Sequence, residues 1–412
     1  MNEKIRDNLD NHRKWHFWPV LCLTFLYPIN LSVLGVSIPI YYYSKGICIE
    51  IIGFLAAAIA LTYSFSPLLL NKLSERFGRK NSVVIATLGA TAAQISFYFT
   101  LEPLIFIIAR LAEGFIMGFY WTNLQSTISD SSEDKHSKYT AVYNLSWNLG
   151  VLSGLLFGAI VVFFVDDVLI VFYLCPLILI ITCVISVFFL KDPLYLNSQN
   201  SSINQNNIKT DVSDSQNKND FSKYFIPVMV PILVIAGYSI LRGSIGFLYP
   251  IKSEMLGIET YTVYLYIFLL VLTQAIFSTL SSFLSMKWLK CLSLISLGLI
   301  TPLMLIFGIV VDYNAALYIA FFLIIGIFCG ILYGSALKLF IALNVKKKTT
   351  KYSSINESLI GIFFLITPIL LGFIAAANLN LGFYVVAFVF LISLVITSIF
   401  VIKIQKDSEK MN

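Results

Sequence analysis

Charge is scarce in this 412-residue chain. Asp, Glu, Lys and Arg make up 12% of it, about half the share found in a soluble domain. So thin a polar covering cannot hydrate the surface of a water-soluble fold of this length. The composition is 58% hydrophobic, with a mean hydropathy of +0.84, which excludes intrinsic disorder and makes the bilayer the solvent. The net charge of +6 comes from 28 Lys+Arg against 22 Asp+Glu, too few and too scattered for a nucleic-acid surface. Histidine is scarcer still: His12, His16 and His136 all lie outside the apolar runs, so no intramembrane histidine serves as ligand or proton relay. The six cysteines (Cys22, Cys48, Cys175, Cys183, Cys291, Cys329) contain no CxxC pair. They read as small buried residues rather than a disulfide framework or a metal site. No G-x-x-x-x-G-K-[ST] loop occurs, which excludes ATP as the direct energy source. No nucleophile is paired with a histidine inside an apolar run, so neither an enzyme nor a cofactor is expected. The first sixteen residues are polar and charged, unlike a signal peptide, and the first apolar run is expected to remain in the membrane.

What is present is a series of apolar stretches, each about 20 residues or more, the length that crosses a bilayer as a helix. Twelve are expected, at 17–43, 49–70, 82–100, 103–128, 139–164 and 168–190, then 224–250, 259–284, 291–311, 314–343, 353–376 and 381–402. The fold class is therefore all-α integral membrane, with twelve spans as two six-helix bundles. A tail 1–16 precedes the first bundle (17–190), and a Ser/Asn/Gln-rich linker (191–223) leads to the second (224–402) and a tail 403–412. Counted at alternate span ends, 23 of the 28 cations fall on the side of both termini and the linker. Two, Lys45 and Lys252, fall opposite, while Arg110, Arg242 and Lys338 lie within spans. The positive-inside rule then puts both termini in the cytoplasm, in a plasma-membrane protein. The halves repeat weakly: an offset of 212 superposes Gly114 and Gly118 on Gly326 and Gly330.

The loop after the second span is the most specific segment, Asn71-Lys-Leu-Ser-Glu-Arg-Phe-Gly-Arg-Lys-Asn-Ser-Val83. Gly78 suits a tight turn, and Arg76, Arg79 and Lys80 hold that turn on the cytoplasmic face. The segment resembles the loop signature of the major facilitator superfamily, G-x-L-a-D-r-x-G-r-k-x-x-l. Leu73, Arg76, Gly78, Arg79 and Lys80 match it and Val83 is a conservative match, whereas Asn71 replaces the first Gly and Glu75 the Asp. The resemblance implies a secondary transporter for a small molecule, two bundles rocking around a mid-membrane site. It also implies a cytoplasmic lock formed by Glu75, Arg79 and Asp130. Gly150, Gly154 and Gly158 recur every fourth residue of the fifth span, a stripe that reads as helix packing.

An ionisable group deep in a bilayer usually faces a cavity or a partner. Arg110 and Glu113 lie one turn apart in the fourth span and can pair within their helix. Arg242 in the seventh span has no carboxylate in its own span, so it needs a partner elsewhere or an anionic substrate. Lys338 can snorkel to the interface. Asn30, Tyr120, Asn123, Asn144, Trp147, Gln274 and Tyr333 are the uncharged polar candidates. In the resembled family the first, fourth, seventh and tenth spans line the central cavity. That implication favours Asn30, Arg110, Glu113, Arg242 and Tyr333 as the substrate and proton pathway, with Asn144 beside them. The expected function is proton-coupled movement of a small metabolite or drug-like compound by a monomer in the lipid bilayer. A passive facilitator stays open, because the first span carries no carboxylate. A membrane receptor that binds without moving its ligand is the alternative from another class.

Overall fold

The computed structural model describes residues 3–129, 136–190, 228–310, 314–347 and 351–409. Among these the chain is helical throughout, with no strand. The helices are α1 (Glu3–Ser44), α2 (Ile49–Tyr63), α3 (Ser66–Phe77), α4 (Arg79–Ile95), α5 (Pro103–Ser129), α6 (His136–Val165) and α7 (Leu169–Phe188). They continue as α8 (Met229–Met255), α9 (Thr260–Phe283), α10 (Met286–Ile309), α11 (Ala315–Lys347), α12 (Lys351–Ala377) and α13 (Leu379–Glu409). Eleven segments of the described residues are long and apolar enough to cross a bilayer. The expected third span falls on α4, whose 17 residues are continued by a 3-10 turn at Ser96–Tyr98. Phe99, Phe164 and Phe283 are 82%, 78% and 81% exposed, which is tolerable where lipid rather than water is the neighbour.

Two departures from the expected spans have a local cause. The second span is broken: α2 ends at Tyr63 and α3 restarts at Ser66 with Pro67 in its first turn. Proline lacks an N–H and is accepted where a helix begins rather than where it continues. Conversely, the seventh span runs five residues beyond its expected end at 250, because Pro250 sits inside α8 instead of stopping it. Helices in a membrane carry proline in their interior more readily than soluble ones do.

The chain divides into two compact units. The first comprises 1–34, 61–157 and 169–213, and the second 35–60, 158–168 and 214–412. In the first unit α4 packs along α5 and α7, and α3 along α5. Its core gathers Val20, Leu23, Tyr27, Leu70, Val83, Met117, Tyr120 and Leu179. The expected glycine stripe packs on α1: Gly150 and Gly154 abut the backbone carbonyls of Phe25 and Ile29, leaving no room for a side chain.

In the second unit α9 packs along α11, α10 along α13 and α12 along α8. The repeat noted in the sequence has a packing counterpart. Gly118 abuts Ser66 and Pro67 of the second span within the first unit, and Gly330 abuts Gln274 and Ser278 of the eighth within the second. Fully buried Tyr249, Tyr318 and Phe322 form an aromatic core with Phe307. The ends of α1, α2 and α6 assigned to this unit pack closely on it. Ser37 hydrogen-bonds the Tyr264 hydroxyl, Gly158 lies against the Tyr264 ring, and a Cβ on Gly53 would fall 2.5 Å from the Pro368 carbonyl oxygen.

Candidate functional site

The Arg110 and Glu113 side chains meet as the spacing requires. The guanidinium Nη1 donates to Glu113 Oε2 at 2.6 Å across one turn of α5. Glu113 is 0% exposed and Arg110 3%, and an isolated charge at that depth would be prohibitive. Two further groups complete the carboxylate's shell. The Tyr27 hydroxyl on α1 donates to Oε1 at 3.0 Å, and Gln94 Nε2 on α4 donates to Oε1 and Oε2 at 3.0 and 3.1 Å. Behind Gln94 stands Asn30, and the two carboxamides pair reciprocally at 2.8 and 2.9 Å. The second Asn30 N–H reaches the Cys175 carbonyl on α7 at 2.9 Å.

One carboxylate thus organises four helices of the first unit. Each donor is used: Asn30 Nδ2 serves Gln94 and Cys175, and Gln94 Nε2 serves Asn30 and Glu113. Arg110 Nε is the exception, buried without a hydrogen-bond partner among the described residues. Around the network, Tyr27 packs its ring on Tyr120 and Trp121 with centroids 5.3 and 5.7 Å away. The break between α2 and α3 presses close by, Thr62 donating to the Leu111 carbonyl at 2.8 Å.

Tyr27 and Gln94 are the members that sequence reasoning missed. Tyr27 lies one turn before Asn30 and so shares its face, a signal that was available. Gln94 stands among Ala and Thr in the third span, with nothing in the sequence to say which helix it faces. Tyr120 and Asn123, expected as cavity lining, serve instead in packing. Tyr120 donates to the Leu23 carbonyl at 2.7 Å and Asn123 Nδ2 to the Phe119 carbonyl at 2.6 Å. Asn144 is exposed and stands apart from the network.

The second unit holds Arg242, Gln274 and Tyr333. Tyr238 bridges the last two: its ring lies 5.0 Å from that of Tyr333, and its hydroxyl accepts from Gln274 Nε2 at 3.2 Å. Arg242, one turn along α8, is half-buried and makes no hydrogen bond or ion pair with any described residue. Lys338 donates to the Leu284 carbonyl at 2.7 Å, so it caps the end of α9. Lys252, expected in a loop, is 4% exposed within α8. Its ammonium donates to the Phe307 carbonyl between the Phe307 and Phe383 rings, whose centroids are 5.0 and 5.1 Å away.

The loop motif forms a compact turn between α3 and α4. Gly78 has φ +78°, a conformation that favours glycine, and its N–H donates to the Ser74 carbonyl at 3.0 Å. Ser74 Oγ donates to Asn123 Oδ1 at 2.7 Å, which ties the turn to α5. Leu73 and Arg76 are exposed, and Arg79 and Lys80 half-buried. Asp130 and the linker 191–223 lie outside the described residues, as does the Glu75 side chain.

A polytopic helical membrane protein with an enclosed ion pair in its first unit and a glycine-turned basic loop is the class these features define. Residues 20–337 match the family model described as Major Facilitator Superfamily, and the chain belongs to that family. It is accordingly a membrane transporter rather than an enzyme, and members of this family bind small-molecule substrates within a membrane. A crystal structure of a bacterial homologue of the human lysosomal transporter Spinster, inward-facing and unoccupied, shares the fold with a TM-score of 0.74. Its sequence is 12% identical, and the match covers 97% of this chain and 98% of that one. No curated protein matches the chain at a significant level.

Proposed function

We propose that the chain moves a small solute by alternating access and couples that movement to protons through Glu113. The observation that carries this reading is the fully enclosed Glu113 carboxylate, shared by donors from α1, α4 and its own helix. A proton on Glu113 removes the charge that Arg110, Tyr27 and Gln94 hold in common. The shell then loses its reason to stay closed, and α1, α4 and α5 become free to shift against one another. Such a group, buried and holding several helices, is suited to convert a proton gradient into a change of packing.

The cation count supports cytoplasmic termini for this transporter, which is proposed to act as a monomer in the cell membrane. The α3–α4 turn, with Glu75, Arg79 and Asp130, is the proposed cytoplasmic lock. Asn30, Asn144, Arg242 and Tyr333 are proposed for the solute pathway together with the ion pair.

Purified protein in proteoliposomes, screened against solute classes with and without an imposed pH gradient, tests the reading. Glu113→Gln keeps the shape of the carboxyl but cannot change charge, and should sever flux from the gradient while leaving solute exchange. Arg110→Gln combined with Glu113→Gln removes both charges and guards against simple misfolding. Gradient-driven flux that persists unchanged in a folded variant would rule out Glu113 as the coupling group.

A further inference from the structure

We propose that Arg242 is the anchor of an anion-binding subsite in the second unit, and that the transported solute carries a carboxylate or phosphate. The assignment rests on the transporter reading but not on proton coupling. Four observations converge on one face of α8. Arg242 is a permanent cation ten residues before the buried Lys252, with no hydrogen bond or ion pair to any described residue. The α5 arginine has its carboxylate, and Lys252 and Lys338 have backbone carbonyls. Arg242 alone among these four intramembrane cations lacks a counter-group among the described residues.

One turn further along the helix, Gly246 looks onto open space: a Cβ there would meet no atom within 4 Å. Residues four apart share a helix face, so Arg242 borders the same opening. Pro250 has no N–H to give the Gly246 carbonyl, which therefore lacks its usual helical donor and can receive a hydroxyl or ammonium of the solute. One turn before Arg242 stand Tyr238 and its ring partner Tyr333, an aromatic surface, with Gln274 Oε1 buried and unpartnered beside them.

The arrangement reads as a recognition sequence along one helix. An aromatic pair takes an apolar or ring portion, a guanidinium fork takes a planar or tetrahedral anion, and a glycine leaves room for both. A guanidinium in a partly desolvated site binds carboxylate or phosphate through two parallel hydrogen bonds, and a neutral solute would leave its charge unanswered.

Calorimetric titration of the detergent-purified protein with inorganic phosphate, phenyl phosphate and benzoate tests the proposal. The two aromatic probes separate phosphate from carboxylate recognition, and benzyl alcohol serves as the neutral control. Saturable binding of at least one anion is expected, stronger than that of benzyl alcohol. Arg242→Gln should weaken it about tenfold or more, and Arg242→Lys less, since the charge survives without the fork. Gly246→Leu fills the open space without touching the charge, and should block the aromatic probes in a protein that melts as the wild type does. Absence of binding by all three anions overturns the proposal, as does binding that is unchanged in Arg242→Gln. The readout needs no flux, so a wild type that binds anions but ignores a pH gradient would count against coupling through Glu113 and not against this subsite.

Discussion

Arg110 and Glu113 show how a bilayer interior treats a pair of opposite charges. Each alone would be prohibitive there; together, with two more donors on the carboxylate, they are tolerated. Removing only one partner leaves the other buried and uncompensated, which costs about 3–5 kcal/mol in comparable sites. Arg110→Met should therefore lower the thermal midpoint of the detergent-purified protein strongly. Arg110→Met with Glu113→Leu should recover most of that loss, because nothing charged remains. A double variant as unstable as the single one would mean that the carboxylate is held for reasons other than the pair. The pairing itself was legible in the sequence, since a spacing of three residues on a helix permits little else. Its outer shell was not. Tyr27 and Gln94 lie 67 residues apart in the chain, on different helices, and one sequence carries no record of which helix faces which.

At the scale of elements, the glycine-turned loop is where sequence and backbone geometry agree most closely. Gly78 ends α3 and opens α4 with φ +78°, and the Ser74–Asn123 hydrogen bond fixes the turn against α5. At φ +78° and ψ 163° the backbone is in a region essentially confined to glycine, and alanine there costs about 1–3 kcal/mol. Gly78→Ala should destabilise the purified protein by that order and slow transport. Gly78→Asn should do no less harm in the same two assays, because asparagine tolerates positive φ in the left-handed helical region and not at ψ 163°. Helix boundaries were less legible than the turn. Pro67 and Pro250 are the same residue type with opposite effects, one restarting a helix and the other embedded in one. The difference lies in what surrounds each proline, and that is a property of the packed bundle. Lys252 follows from the same error, since ending the seventh span at Pro250 moves that cation from a buried aromatic setting into a loop.

At the scale of the molecule, hydropathy was sufficient for an all-helical membrane fold, and the distribution of cations is what supports the proposed topology with both termini in the cytoplasm. Cys48 provides a direct check. It is exposed in the short connection between α1 and α2, on the side opposite the termini. A membrane-impermeant maleimide applied to intact cells should label Cys48, and Cys48→Ser should abolish that signal. Labelling that appears only after permeabilisation would invert the topology.

The ion pair of α5 is internal to one helix, and that has a bearing on how the chain is made. A nascent helix that carries its own counter-ion leaves the translocon as a neutral rod, needing no later arrival to cancel its charge. Helix α8 is different: its one carboxylate, Glu254, lies twelve residues beyond Arg242, so Arg242 enters lipid without a counter-ion within reach on its own helix, at a cost of about 2.5–3.5 kcal/mol on insertion scales. Its length and its apolar flanks must outweigh that cost before any neighbour is in place. The first half of the protein can thus settle helix by helix, while the second carries its unanswered arginine through biogenesis as the toll of its binding chemistry.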